Sequence, residues 1–375
     1  MAYGRLTAHG RWLAEELART RLPPSLKLRQ RKSIDGGDET VDMREKVVIV
    51  TGGKGHGLAV VRELLRLGTK RVYMASRNER RAQEAIAGLH EEGLGNTVDS
   101  EVLWLKLHLG DPREAKRAAE EFMGKEGRLD VLINNAGDML ATGLGRDGVS
   151  NMHIVKQVNP ATHGHYYEPA DLQLTLTSHS YISPYIFTQT LLPLLKKTAQ
   201  DPSSDVRIIN VISKAYTFVT SDIEYSRIED FNIRYTFCPH TDLHQYASAN
   251  LAKLLWSRHL YAHLISSNPP LPGGITVLSI HPGSTLDKFT PGIPKAIASL
   301  YTVTPEMSVR TTIFAAASRC VWNERERYQA RGGLVCLVDV PVPGSVQEVS
   351  GMARDEGLGR DLIRTTEYFL SSIGL

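Results

Sequence analysis

Val47-Val48-Ile49-Val50-Thr51-Gly52-Gly53-Lys54-Gly55-His56-Gly57 decides the fold of this chain. The first four residues read as a short buried strand. Glycines follow, and then Leu58, Val61, Leu64 and Leu65 recur at helical spacing. A strand that passes through glycines into a helix start is a phosphate site. Backbone N–H groups and the positive helix end face the anion, and glycine lets the backbone come close. Gly52, Lys54, Gly55 and Gly57 are the candidate contacts.

The same alternation continues downstream. Arg71–Ala75 reads as a second strand, 78–91 as a helix, Val102–Leu105 as a third strand, 112–125 as a helix and Leu129–Ile133 as a fourth strand. Strands alternating with helices imply an α/β fold, a Rossmann-type doubly wound parallel sheet in a single domain. The end of the second strand sets the cofactor. An acidic residue there would bind a ribose hydroxyl, whereas this chain has Ser76-Arg77. Arg77, with Lys54, suits a 2′-phosphate, so NADP is the expected cofactor.

Composition excludes several classes. A net charge of +3 over 375 residues gives no nucleic-acid footprint. No apolar run approaches the ~18 residues of a membrane span. Cys238, Cys320 and Cys336 are odd in number and scattered, which fits neither a disulfide framework nor a metal site. A reducing, cytoplasmic location is expected. Residues 1–44 read as a basic extension ahead of a domain spanning 45–375. Within residues 5–32, Arg5, Arg11, Arg19, Arg21, Lys27, Arg29, Arg31 and Lys32 stand against only Glu15 and Glu16. A docked helix with a loose tether is the first reading, and a weak membrane-surface or targeting role the second.

Asn134-Asn135-Ala136-Gly137 follows the fourth strand. With the glycine loop and the helix Tyr246-Ala247-Ser248-Ala249-Asn250-Leu251-Ala252-Lys253, it resembles the short-chain dehydrogenase/reductase family. The resemblance runs from about residue 45 to the end. Ile208–Ser213 resembles the family's fifth strand ending in its serine, and His281-Pro282-Gly283 the loop near the nicotinamide. Asp361-Leu362 before Thr366-Glu367 resembles the closing helix of the retinol-dehydrogenase-like branch. By this resemblance Asn135, Ala136, Pro282 and Gly283 line the cofactor. Tyr246 moves the substrate proton while Ser213 orients its oxygen.

The departures surround the same site. Two residues, Gly53 and Lys54, separate Gly52 from Gly55, where the family has three. His108-Leu109 replaces an Asp-Leu whose Asp lies near adenine, with Asp111 close by. Ser180 stands at the position of the family's active-site Asn, and Asp287 at that of a Thr. Asn250 replaces the lysine four positions after the tyrosine. A free tyrosine titrates at ~10, and the family's lysine lowers it and holds the ribose. Asn250 brings no charge, although it can hydrogen-bond a ribose.

Lys253 lies seven residues after Tyr246, roughly 700° around the helix and therefore on the same face, ~10.5 Å along the axis against ~6 Å for the usual spacing. Side chains lean toward the N-terminus, which favours reaching back. Lys253 is thus either a partial replacement for the missing lysine or a solvated or dimer-face lysine. Leu251, Leu254, Leu255 and Leu260 read as core or dimer-face residues.

Between Gly137 and Ser180 the chain is longer than the family needs. Residues 138–179 form an inserted region carrying His153, His163, His165, Tyr166, Tyr167 and His179. A substrate cover offering His163 or His165 as acid/base is one reading, and a surface loop the other. A second cover is expected at Ser284–Pro294.

The expected function is an NADP-dependent oxidoreductase acting on a carbonyl/alcohol pair of a small organic molecule in secondary-metabolite biosynthesis. Alternatives are a non-redox cyclase, dehydratase or isomerase, and a silent scaffold. A homodimer through the tyrosine helix is possible, as in families of this kind. No nucleic-acid partner and no membrane contact by the extension are expected.

Overall fold

The computed structural model describes residues 40–137, 178–219, 223–232, 241–266, 271–283, 305–329, 336–337, 346–347, 349 and 351–375. The extension up to residue 39, the histidines of the insertion, Asp287 and the expected cover at 284–294 lie outside the described residues.

Among the described residues nine strands form one sheet in the order β3-β4-β2-β1-β5-β6-β7-β8-β9. β1 (Val47–Thr51), β2 (Arg71–Ser76), β4 (Ser100–Lys106), β5 (Val131–Asn134), β6 (Val206–Val211), β7 (Ile275–Ile280) and β8 (Cys336–Leu337) run parallel. The two-residue strands β3 (Asn96–Thr97) and β9 (Val346–Gln347) pair antiparallel at the edges. The chain starts at β1 in the middle, winds outward through β2 and β4, then crosses back to β5 on the other side. Strand order therefore reverses between β1 and β5, where open α/β sheets bind their ligands at the strand ends.

Period-two alternation builds two cores. Val47 and Ile49 point into one layer; Val48 and Val50 point into the other. The second layer holds α1 (His56–Arg66), α2 (Glu79–Glu91) and α6 (Pro305–Ala317). The first holds α3 (Pro112–Lys125), α4 (Ser183–Thr198), α5 (Thr241–Ile265) and α7 (Glu356–Ser372). Helix starts follow local chemistry. Asn78 accepts from Arg81 N at 2.9 Å to cap α2, and Asp355 caps α7 through Leu358 N at 2.9 Å.

α7 packs on α4 and α5. Leu362, Ile363, Phe369 and Leu370 share one buried cluster with Leu251, Leu254, Leu255 and Trp256. The Tyr181 and Thr366 hydroxyls bond at 2.9 Å, and Tyr185 Oη donates to Glu367 Oε1 at 3.2 Å. The leucines of α5 are thus core, and this face of the helix is taken by the chain's own closing helix.

The domain begins earlier than the expected residue 45. Val41 N donates to the Ala317 carbonyl at 2.7 Å, Thr40 bridges Ser318, and Met43 is buried against the β1/α1 layer. A buried methionine belongs to the core it fills, so residues 40–44 are part of the folded body. At the opposite end of the sheet from the glycine loop, Asp130 accepts from Lys46, Arg128 and Val47 N. Arg207 is fully buried on Asp205 and on the carbonyls of Ala315 and Ser318. Charge compensation at the strand starts leaves the strand ends for the site.

Candidate active site

The glycine loop leaves β1 with a left-handed residue, Gly52 at φ 96°, and enters α1 through Gly55 at φ 55°. Only glycine holds such angles without strain. Gly57 is required for a different reason, because a Cβ there would lie 2.0 Å from the Gly52 carbonyl oxygen. No side chain caps α1 and its first turn carries no acid. Its first N–H groups and its positive end therefore face an anion unopposed. His56, at the head of α1, turns aside to the Ser308 and Thr312 hydroxyls of α6, at 3.0 and 2.9 Å.

The far wall of the cradle is the end of β2. Ser76 Oγ is buried without a hydrogen-bond partner among the described residues, and a Cβ on Gly53 would meet it at 3.3 Å. Arg77 and Lys54 are exposed and make no ion pair among the described residues. An orphaned hydroxyl and two uncommitted cations beside a glycine turn suit the adenosine end of a phosphorylated dinucleotide. Asp111 has a local job. Its Oδ1 caps α3 through Arg113 N at 2.9 Å and lies 3.6 Å from the Arg113 guanidinium. His108 is half-buried.

Asn135 and Ala136 frame the switch point. Both backbone N–H groups donate to Thr51 Oγ1, at 2.9 and 2.8 Å, and Asn135 Nδ2 donates to the Thr51 carbonyl at 2.8 Å. They brace the ends of β1 and β5 against each other under the glycine loop. Pro282 and Gly283, the latter at φ 88°, leave β7 after the buried His281.

The catalytic-type residues gather at the end of β6. Ser213 opens a short 3-10 turn, Lys214–Phe218, and its Oγ accepts from Ala215 N at 3.2 Å, which leaves the O–H proton to donate. Tyr246 is half-buried on α5. Asn250 joins the two. Its Oδ1 accepts from Ser213 N at 2.7 Å and its Nδ2 donates to the Tyr246 carbonyl at 2.8 Å. Ser180 is buried on a π-helical turn, Ser178–Ile182, with Oγ unpartnered among the described residues. Such turns recur at functional sites.

Lys253 is neither solvated nor on an open face. It is 3% exposed, and Nζ donates to the Val211 carbonyl at 3.1 Å. Burial alone holds its amine down, at about 8. Thr51, Ser76, His56, Asn210 and Ser257 are given no site role by the sequence. Asn210 Nδ2 donates to Ser257 Oγ at 2.7 Å, and Asn134 Nδ2 to Asn210 Oδ1 at 2.9 Å. Thr51 and His56 flank or interrupt the glycines and were visible there. Asn210 and Ser257 had no local signal, because 47 residues separate them.

No described helix is long and apolar enough to cross a membrane. No group of described His, Cys, Asp and Glu side chains is placed to hold a metal ion. Residues 46–221 match the profile of the family described as short chain dehydrogenase. The chain is similar to a short-chain dehydrogenase/reductase of Armillaria gallica, 36% identical over 89% of this chain and 96% of the other. It is also similar to the short chain dehydrogenase/reductase dpchH of Colletotrichum higginsianum, 29% identical over 89% and 77%. Retinol dehydrogenase 12 of Mus musculus is 28% identical over 69% of this chain and 68% of its own.

Proposed function

The chain belongs to the short-chain dehydrogenase family, and on that premise we propose an NADP-dependent oxidoreductase that interconverts a carbonyl and an alcohol on a small organic molecule. The observation that carries this reading is the glycine cradle, where Gly52 and Gly55 turn into an uncapped α1 with no acid in its first turn and Arg77 and Lys54 stand exposed beside it. At the same strand ends the Asn250 amide ties the backbone of Ser213 to the backbone of Tyr246.

The glycine loop and the α1 N-terminus would hold the pyrophosphate, and Arg77 with Lys54 the 2′-phosphate. When bound, the nicotinamide supplies or accepts the hydride. The Ser213 hydroxyl donates to the substrate oxygen and fixes its direction. The Tyr246 hydroxyl gives that oxygen its proton, or takes it in the reverse direction. The inserted region and the departures around the nicotinamide favour a specialised secondary metabolite as substrate. The scattered cysteines suit the cytoplasm.

A second reading is a non-redox cyclase, dehydratase or isomerase. Asn250 favours it, because the position that carries a lysine in the family holds an uncharged amide already bonded at both ends. Titration with NADPH and NADP by fluorescence or calorimetry separates the two. Binding followed by turnover of a carbonyl panel supports the oxidoreductase; no binding sinks it, and binding without turnover favours proton chemistry alone.

Cofactor choice gives a sharper check. Arg77→Glu is expected to raise KM for NADPH about 10- to 100-fold, the loss of a charge-assisted hydrogen bond or two. KM for NADH should move far less, because NADH lacks the phosphate. Equal losses for both cofactors would remove Arg77 from the 2′-phosphate site.

A further inference from the structure

Three successive residues close β6, and a different side chain holds each of them. Lys253 Nζ donates to the Val211 carbonyl at 3.1 Å, His281 Nδ1 lies 3.4 Å from the Ile212 carbonyl, and Asn250 Oδ1 accepts from Ser213 N at 2.7 Å. Two of the three come from α5, three residues apart and so on one face. The face continues in both directions. Asn250 Nδ2 reaches back to the Tyr246 carbonyl at 2.8 Å; Ser257 Oγ donates to the Lys253 carbonyl at 2.8 Å and accepts from Asn210 Nδ2 at 2.7 Å. Tyr246, Asn250, Lys253 and Ser257 thus form one seam along the helix, sewn to the strand that delivers Ser213.

In this seam neither the amide nor the amine is arranged for the work of a cofactor-binding lysine. Asn250 is 5% exposed, and its amide oxygen and one of its two N–H donors are bonded to backbone. Lys253 is 3% exposed, and its one hydrogen-bond partner among the described residues is a strand carbonyl. A hydrogen bond from a buried ammonium to a backbone carbonyl fixes position strongly because nothing else can satisfy the charge.

We propose that Asn250 and Lys253 are positioning residues for Ser213: together they lock the end of β6 to α5, so that the serine hydroxyl is held in register with the Tyr246 turn. The proposal rests on the oxidoreductase reading of Ser213 and Tyr246. It assigns Asn250 to strand alignment and takes it out of ribose binding. Lys253 fixes the next turn down and carries no proton to the substrate.

The test is a double-mutant cycle read in kcat. Asn250→Ala is expected to lower kcat for carbonyl reduction about 10- to 100-fold, the cost of one lost buried hydrogen bond, and to leave KM for NADPH within about twofold. The Ser213→Ala/Asn250→Ala double variant should be no slower than Ser213→Ala alone, because residues that act through one another do not add. Multiplying losses, or a tenfold rise in KM for NADPH at unchanged kcat, would overturn the proposal. Lys253→Met should lower kcat without shifting the inflections of the pH–rate profile. Loss of an inflection near pH 8, where the Lys253 amine titrates, would make it a proton carrier and overturn its part.

Amide hydrogen exchange gives a readout independent of turnover. In Asn250→Ala the peptide 211–216 should exchange faster while the peptides of β1 and β5 keep their protection. Unchanged protection at 211–216 defeats the clamp. Wild-type activity in both Ser213→Ala and Tyr246→Phe defeats the oxidoreductase site instead, and the exchange result still decides the clamp.

Discussion

Tyr246→Phe is expected to lower kcat about 10²- to 10⁴-fold, the usual range for removal of a general acid or base. The substitution deletes one oxygen and keeps the ring. The fold of α5 comes from Ala247, Leu251, Leu254, Leu255 and Trp256, all buried, and from the Asn250 bond to the Tyr246 carbonyl, which the backbone supplies. Stability and NADPH affinity should therefore stay near wild type. A group that acts only in the transition state lowers kcat and kcat/KM together. Single-turnover reduction at saturating NADPH measures the chemical step directly. A variant within tenfold of wild type would move the proton role to another residue, with the histidines of 138–179 as the first candidates.

The second large effect is a stability change with pH centred on Lys253. Burial holds its amine at about 8 in the folded chain, against 10.5 in an exposed lysine. The sign follows from proton counting. Between these values the unfolded chain keeps the proton and the folded chain releases it, so stability rises with pH. Below pH 8 both states are protonated, and the cost of the buried ammonium is fully felt. Two and a half pKa units correspond to about 3 kcal/mol. Urea unfolding of wild type and Lys253→Met should show the gap between them moving toward wild type by up to that amount from pH 7.5 to 10.5. A constant gap would mean that water reaches Nζ, contrary to its 3% exposure. The variant also leaves the Val211 carbonyl without its donor, which fixes no sign for the gap at pH 7; the slope is the clean observable.

These two residues also mark how far the sequence could be read. Strand, glycine loop and helix around Thr51 were legible because their signals are local. The helix predicted over 112–125 forms over those residues, since Asp111-Pro112 is a capping pair that needs no tertiary partner. Helical periodicity puts Lys253 on the face of Tyr246. What it could not supply was depth. Whether that lysine meets water, a second copy or a strand depends on where β6 ends, 42 residues away in sequence. Asn250 reads in sequence as a missing charge. In the fold it is a bond to Ser213, because the partner is a backbone N–H that no motif records. Met43 was assigned to the extension for the same reason. Its burial depends on the docking of 40–44 against residues 317 and 318, far along the chain.

The placement of α7 has a consequence for biogenesis. The hydroxyl pair Tyr181–Thr366 closes a separation of 185 residues, and Leu362, Ile363, Phe369 and Leu370 cover the apolar side of the tyrosine helix. During synthesis, Leu251, Leu254, Leu255 and Trp256 emerge more than a hundred residues before their cover. The nascent chain therefore presents a bare greasy helix for seconds at ribosomal speed. Holdase chaperones have a defined target in that interval, and a premature stop anywhere before residue 356 leaves the target exposed for good.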